Sequence, residues 1–178
     1  MNAVEKLIRE VSISRNSYIK QIEYYPEEKA QWKPLPEVWN MAEITEHLFW
    51  AEQGGILGMW KIIHAIREGK LERKYDSAHM DMSVEQIIVL TWKTKEQVPA
   101  VAAPRSGGPL SFWCASLISL QGVLDAFGRD LKDGELKIQA HPHPISGPMD
   151  FHQRLEFLSF HINRHRVQVS GLIKEMNK

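Results

Sequence analysis

One regularly spaced apolar series in the second half of the chain constrains the fold more than any other feature. Apolar side chains recur there at alternating steps of three and four residues: Leu110, Trp113, Leu117, Leu120, Leu124, Phe127 and Leu131. A mean apolar period of 3.5 residues is typical of a helix that packs along its length against other helices with left-handed supercoiling. The series therefore predicts a long core helix in a helical bundle, and Gly134 is predicted to end it.

Four further helices are predicted from apolar spacing and from signals at their ends. The first begins after Asn2 and stops before Pro26, and an irregular, aromatic-rich connection follows over residues 24–39. The second begins at Asn40 and ends near Gly69. Asparagine is a favoured cap because its side-chain oxygen accepts a hydrogen bond from a free backbone N–H of the first turn.

The other two predicted helices are a short third helix and the last helix of the chain. The short helix begins at Ser83 and is closed by Pro99 and Pro104, and the last helix runs from Asp150 towards Lys178. A glutamate or glutamine follows three residues after each of three caps, as in a capping box: Asn40, Ser83 and Asp150. No segment alternates apolar and polar residues as a strand does. We therefore predict an all-α fold, a four-helix bundle with one additional short helix.

The composition indicates a single folded domain over residues 1–178. The 178 residues are 43% hydrophobic and 25% charged, so the chain can bury a core and is not expected to be disordered. Its 22 Lys and Arg balance its 22 Asp and Glu, which argues against a general nucleic-acid binder, because such proteins carry a basic surplus. The single cysteine, Cys114, excludes an intrachain disulfide and is compatible with the cytoplasm, where we expect the protein.

The sequence gives no indication of membrane insertion. The longest uncharged stretch, residues 107–124, contains Pro109, three serines and Gln121, so we expect a buried helix rather than a membrane span. Residues 1–6 lack the cationic-then-apolar order of a secretory signal. We therefore expect no membrane partner.

Two of the eight histidines form a pair on the last predicted helix. His161 and His165 are four residues apart, so both project from one helix face. Leu158 and Ile162 mark that face as the apolar one. Imidazoles on a core-facing stripe are costly unless their nitrogens find partners, and a divalent transition metal is one good partner. Two hydrogen-bonded core histidines are the alternative interpretation of the pair.

A transition-metal site normally has three protein ligands, so a third should come from another helix. His47 is the best candidate because it lies on the inner side of the second helix, between Ile44 and Leu48. His152 is expected to face solvent from the other side of the last helix. The remaining histidines are less well placed: His64, His79, His141 and His143. Spacing alone does not prove that the two helices pair, so the metal and metal-free interpretations both stay open here.

Two parts of the chain resemble motifs of the DinB-like (YfiT-like) superfamily. Residues 39–48, WNMAEITEHL, are similar to its second-helix motif. Residues 143–147 and 160–168, the latter FHINRHRVQ, resemble its last-helix signature, with glutamine three residues after the second histidine. The chain departs from many relatives at residues 99–109, where prolines and glycines interrupt a third helix that is continuous in those relatives. The resemblance implies a DinB-type bundle in which a divalent nickel or zinc ion is held by His47, His161 and His165.

A site of this kind would use its metal to form a nucleophile at neutral pH. Three neutral imidazoles leave positive charge and open coordination positions, which can lower the pKa of bound water to about 7 and should favour a bound thiolate. The resemblance implies a thiol-dependent S-transferase or a related enzyme. A low-molecular-weight thiol would then be the co-substrate, added to an electrophilic small molecule. Hydrolysis by activated water is the neighbouring alternative.

Two residues are candidates for assisting such a reaction. Glu43 lies four residues before His47 on the same face, where it could act as a base or accept a ligand N–H. Its position after Asn40 also suits the purely structural role of a capping-box partner. Gln168, three residues after His165, could orient a ligand or bind substrate, and it is equally plausible as a plain polar surface residue.

Other residues and functions have weaker support from the sequence. Arg164 and Arg166 could meet anionic groups of a thiol or lie on a solvated face, and Cys114 is expected to be buried and inert. One rival function is a non-catalytic metal-binding or stress-response module, closed by a fourth ligand such as His143. Another is a metal-free bundle that acts through its surface, in which part of the apolar series at residues 110–131 binds a partner or forms a homodimer interface.

Overall fold

Four long helices make up the fold in the computed structural model, which describes residues 1–75, 78–92 and 98–178. The helices are α1 (Ala3–Ile22), α2 (Glu27–Ala30), α3 (Met41–Arg67), α4 (Val84–Thr91), α5 (Leu110–Asp130) and α6 (Phe151–Met176), with a 3-10 turn at Asp133–Glu135. Within those three ranges the chain forms helices and loops and no strand. The predicted all-α, four-helix architecture is confirmed.

The four long helices pack in the cyclic order α1, α6, α3, α5. Helix α1 contacts α6 and α5, and α3 contacts the same two helices from the other side. The short α4 packs against α6. Because α3 and α6 are neighbours, their inward faces can share one site.

The predicted helix starts are confirmed by the hydrogen bonds of the first turns. A capping box is formed at Asn2, Asn40, Ser83 and Asp150, where the cap side chain and the residue three positions later bond to each other's backbone N–H. These bonds satisfy N–H groups that a helix start otherwise leaves without partners. Local sequence therefore sets where α3 and α6 begin, and with them the phase of the faces that they bury.

The apolar series that predicted α5 is buried along its whole length. All seven side chains are at most 5% exposed: Leu110, Trp113, Leu117, Leu120, Leu124, Phe127 and Leu131. The helix ends slightly earlier than predicted, at Asp130, and Gly134 lies in the 3-10 turn. In the described ranges, α5 is also the one helix long and apolar enough to cross a membrane by length and composition. Its apolar face packs in the bundle core.

The connections differ from the predictions in two places. The predicted irregular segment 24–39 contains the short helix α2, which follows Pro26 and has Glu27 and Glu28 in its first turn. Acidic residues near the positive end of a helix favour a helix start. The predicted third helix is shorter than expected because α4 ends at Thr91, and part of its predicted remainder, 93–97, lies outside the described residues.

A close approach of the loop before α6 to α3 depends on a glycine. A Cβ atom at Gly58 would lie 2.5 Å from the ring of His141, closer than two carbon atoms can pack. The missing side chain therefore leaves the space that His141 fills. The absence of a side chain at Gly58 lets His141 pack closely against α3, and the loop that begins at His141 forms part of a cavity.

Candidate metal centre

The side chains of His47, His161 and His165 converge inside the bundle. The Nε2 atom of His161 lies 3.1 Å from Nε2 of His47 and 3.0 Å from Nε2 of His165. The candidate ligand atoms of all three lie within 4.8 Å of one another. Bonds of about 2.0–2.1 Å from three imidazoles to one ion place the nitrogens about 3 Å apart. Two of the three separations therefore match those of a shared metal site, and the third is at most 4.8 Å.

Hydrogen bonds on the far side of two rings fix which nitrogen carries the proton. His47 donates from Nδ1 to the carbonyl oxygen of Ala102 at 2.8 Å, and His165 donates from Nδ1 to Oε1 of Gln168 at 2.7 Å. In a neutral imidazole this leaves a lone pair on each Nε2. His161 can supply only one Nε2 proton between these two lone pairs. Hydrogen bonding among the three rings therefore leaves one Nε2 lone pair without a partner. A bound cation would satisfy the lone pairs of all three nitrogens.

The surroundings keep the three imidazoles neutral. Burial lowers the pKa of His47 and lowers that of His161 well below its ordinary value. Burial, together with the neighbouring His47, lowers the pKa of His165 to about 3. Metal ions bind only the deprotonated ring, so at neutral pH the centre is ready to coordinate without first losing protons.

The centre lies at the wall of a cavity of about 690 Å³. All three histidines line it, and aromatic side chains from several segments contribute much of the rest, among them Trp50, Trp92 and Phe157. Phe157 stacks on His161 with the ring planes 15° apart. This volume is in the range of small-molecule sites, so a small molecule bound there would lie beside the three histidines.

The loop that supplies the Ala102 carbonyl is held by Glu46, which is 1% exposed. The Glu46 carboxylate accepts hydrogen bonds from the backbone N–H groups of Arg105, Ser106 and Gly107 and from the indole of Trp50. Burial alone would raise the pKa of Glu46, but these four donors outweigh it and hold the pKa below its ordinary value. Glu46 thus stays charged and positions the loop that orients His47.

Replacing Glu46 with glutamine is expected to weaken metal binding about tenfold while the helix content stays unchanged. The amide cannot accept all four hydrogen bonds, so the loop would shift and the Ala102 carbonyl would hold His47 less firmly. Loss of an outer hydrogen-bond partner of a ligand typically costs 10- to 100-fold in metal affinity. Competition with a metal-sensitive dye measures the affinity, and circular dichroism measures the helix content.

The matched control for this change is Glu43→Gln, three residues earlier on the same helix. Glutamine also suits the third position of a capping box, so metal affinity should stay at the wild-type level. If both variants lost the same affinity, the positioning role of Glu46 would be refuted, because the effect would then belong to the start of α3 in general.

The two residues proposed to assist catalysis lie in different places. Gln168 lines the cavity and bonds to His165, so the structure brings it together with the histidine centre. Glu43 does not line the cavity. Its carboxylate accepts hydrogen bonds from the backbone N–H of Asn40 and from the ammonium group of Lys33, which is the capping role that the sequence also allowed.

The other histidines lie outside the centre. His143 and His141 line the same cavity, but the Nδ1 atom of His143 accepts backbone hydrogen bonds and its ring packs on Phe157, 4.4 Å between centroids. His79 is buried and lies 2.7 Å from the carbonyl of Pro148. The remaining two pair with carboxylates on more exposed surfaces: His64 with Asp130 and His152 with Glu156.

Cys114 and the two arginines beside the histidine pair also have defined positions. Cys114 is buried, as predicted, and burial raises the pKa of its thiol to about 11. Arg164 lines the cavity and stacks over the ring of Trp92 at 4.7 Å, whereas Arg166 is exposed and does not line it. Only one of the two arginines is therefore placed to meet a bound molecule.

Sequence reasoning missed two buried residues that matter to this cavity, Glu46 and Arg154. Glu46 directly precedes His47, and neighbouring side chains on a helix point about 100° apart, so its position in the sequence does not predict a role beside His47. Arg154 lies seven residues before His161 and thus on the same helix face. That spacing could have identified Arg154 as a residue on the same helix face as the site.

Comparison with known proteins agrees with the fold. The family model of the DinB superfamily matches residues 11–169. The fold is similar to YfiT from Bacillus subtilis, described as "a probable metal-dependent hydrolase with an unusual four-helix bundle topology", with a TM-score of 0.60 and 13% identity over 99% of this chain and 90% of that one. None of the curated proteins matches this chain. Because the family model spans most of its length, the chain belongs to the DinB superfamily.

Proposed function

We propose that this protein is a metal-dependent enzyme whose divalent transition-metal ion, zinc or nickel, is held by His47, His161 and His165. The observation that carries the proposal is the convergence of three imidazole nitrogens, two with lone pairs fixed inward, at the wall of a cavity. Imidazole is a ligand that suits both metals. When bound, such an ion would lower the pKa of a coordinated water or thiol and so supply a nucleophile at neutral pH.

The openness of the centre favours a catalytic role over a structural one. A structural zinc site is closed by four protein ligands, whereas a catalytic site has three and one free position. Among the described histidines, cysteines and carboxylates, the group that can hold an ion has only these three members. Nδ1 of His143, the residue proposed to close a structural site, accepts hydrogen bonds from two backbone N–H groups, so in the neutral ring Nε2 carries the proton and offers no lone pair to an ion.

The proposed reaction is transfer of a low-molecular-weight thiol to an electrophilic small molecule. In this reaction the thiol sulfur forms a bond to an electrophilic carbon, and the leaving group departs with the electron pair and takes up the thiol proton. The chain's own part is to hold His47 and His165 in place through Ala102 and Gln168. The cavity of about 690 Å³ is of the size of small-molecule sites.

Hydrolysis is the second candidate, and a specific observation favours it. The structurally similar YfiT is described as a probable metal-dependent hydrolase, and the same three-histidine arrangement could serve water in place of a thiol. The two reactions differ in whether turnover needs an added thiol. A homodimer, a cytoplasmic location and the absence of nucleic-acid and membrane partners stay predictions.

A comparison of metal-free and metal-reconstituted protein tests the proposal. Purified without an affinity tag, the protein would be stripped with a chelator, reloaded with zinc or nickel, and assayed with bacillithiol, mycothiol, glutathione or coenzyme A and a chromogenic electrophile. The expected result is thiol-dependent turnover that needs the metal, disappears in His161→Ala and persists in Cys114→Ser. Release of product from an activated ester without any thiol would assign hydrolysis. Equal turnover with and without metal would contradict both.

A further inference from the structure

Two touching residues at the cavity hold three buried polar atoms that have no hydrogen-bond partner in the described parts of the chain. These atoms are Nδ1 of His141 and the Nε and Nη1 atoms of Arg154. Nη2 of Arg154 donates to Nε2 of His141 at 3.0 Å, so the two side chains form one unit. Both residues line the same cavity as the histidine centre. Buried polar atoms without partners are rare in native proteins and call for an explanation.

Another buried arginine of the same bundle shows what Arg154 lacks. Arg15 is 1% exposed and forms an ion pair with Glu52. Arg154 is 4% exposed, and no carboxylate pairs with it within residues 1–75, 78–92 and 98–178. Burial lowers the pKa of Arg154 to about 10, so the guanidinium is still charged at neutral pH. A buried charge without a counter-ion destabilises the fold, and a ligand that supplies the counter-ion would account for its presence.

The unsatisfied atoms are all hydrogen-bond donors. Arginine has no acceptor, so Nε2 of His141 accepts from Arg154 and must carry the lone pair. In the neutral ring Nδ1 of His141 then carries the proton. The unit therefore has unpaired N–H groups at Nε and Nη1 of Arg154 and at Nδ1 of His141, with one positive charge. Such a set matches an anion with at least two oxygen atoms and does not match a cation.

We propose that Arg154 and His141 bind the carboxylate of the small-molecule substrate, at the end of the cavity away from the histidine centre. This inference rests on the proposed function, because it names the class of molecule on which the metal centre would act. It also assigns a binding role to Arg154, whereas Arg164 and Arg166 were the arginines that the sequence brought forward.

The positions along α6 set the size of the substrate. Arg154 precedes His161 by seven residues, or about 10 Å along the helix axis. Phe157 lies between the two: its ring centroid is 5.8 Å from the guanidinium carbon of Arg154 and 5.5 Å from the ring of His161. The carboxylate and the reacting atom are therefore separated by an apolar body that packs on this ring. A free inorganic anion would fill only one end of the cavity.

A neutral and a charged probe of the same shape test the proposal in metal-free protein. The probes are phenylacetate and phenylacetamide, and titration calorimetry measures their binding. Metal-free protein excludes binding of the carboxylate to the ion itself. We expect the wild type to bind phenylacetate at least tenfold more tightly than phenylacetamide, since hydrogen bonds to a charged group contribute roughly 10- to 100-fold. Equal affinity for the two probes would overturn the proposal without any variant.

Arg154→Met is expected to abolish the preference for the carboxylate. Methionine fills part of the same space without a charge, so this variant should also unfold at a higher temperature than the ligand-free wild type. The matched control is Arg166→Met, which is exposed on the same helix and does not line the cavity; it should retain the preference. A preference that survives in Arg154→Met, a preference lost in Arg166→Met, or a lower unfolding temperature of Arg154→Met would contradict the assignment.

Two further measurements distinguish a substrate carboxylate from a free anion, and the carboxylate proposal from the metal proposal. Inorganic phosphate should compete with phenylacetate only weakly, and phosphate binding at least as tight would mean that the site serves a free anion, which overturns the substrate assignment. Metal content is measured on the same preparations. If metal binding fails and the carboxylate preference persists, only the metal proposal falls. If metal binds and the preference is missing, only the carboxylate proposal falls.

Discussion

His161→Ala is expected to abolish stoichiometric binding of zinc or nickel while most of the helix content remains. Nε2 of His161 is the central atom of the group, 3.1 Å from Nε2 of His47 and 3.0 Å from Nε2 of His165. Without it, two ligands from different helices remain. Sharing a typical zinc-site free energy among its ligands gives roughly 3 kcal/mol for each, so the affinity should fall about 100-fold or more. Elemental analysis of tag-free protein gives the metal-to-protein ratio, and circular dichroism gives the helix content.

The matched control is His152→Ala on the same helix. His152 pairs with Glu156 and does not line the cavity, so metal content should stay at the wild-type level. Full occupancy in His161→Ala would exclude that residue as a ligand. A clear loss in His152→Ala would mean that the face assigned to the site is wrong.

The metal-free protein is expected to lose stability steeply as the pH falls below about 6.5. The pKa values of His47, His161 and His165 are all lower in the folded state, where burial is the largest cause. Between 6.5 and the folded value, about 3 for His165, the unfolded chain binds protons that the folded chain does not. Each such histidine lowers the free energy of unfolding by up to about 1.4 kcal/mol for each pH unit of acidification. The three together lower it by up to about 4 kcal/mol per pH unit.

Denaturant titrations at pH 7, 6 and 5 measure this loss. His165→Gln should make the pH dependence shallower, whereas His152→Ala should not, because the Glu156 hydrogen bond raises the pKa of His152 and gives the opposite sign. Bound zinc should shift the loss to lower pH, because a metal that binds only the folded state stabilises it. An unfolding free energy that stays flat from pH 7 to pH 5 would contradict the burial of neutral imidazoles.

The parts of the fold that the sequence predicted are those set by local chemistry. Capping boxes at Asn40 and Asp150 and the apolar series of α5 depend on residues within a few turns of one another, and the structure has all of them. The pairing of α3 with α6 is different because it depends on long-range packing. The sequence placed His47 on the inward face of its helix and so made it a candidate to share a site with His161. The structure shows that the two side chains meet.

The parts that the sequence did not predict depend on contacts between distant segments. Glu46 faces a loop some 60 residues later in the chain, whose backbone N–H groups carry no signal in the sequence. Arg154 could be placed on the face of His161 from its spacing, but only the folded structure shows that its Nε and Nη1 atoms lack hydrogen-bond partners among the described residues. Helix α2 was missed because four residues are too few to show an apolar period.

X-ray absorption spectroscopy of the zinc- or nickel-loaded, tag-free protein tests the central claim most directly. The account predicts three imidazole ligands at about 2.0–2.1 Å, with one or more further light atoms that an added thiol replaces with sulfur. A metal shell with fewer than three imidazoles would contradict it. So would a shell closed by a fourth histidine that no thiol displaces.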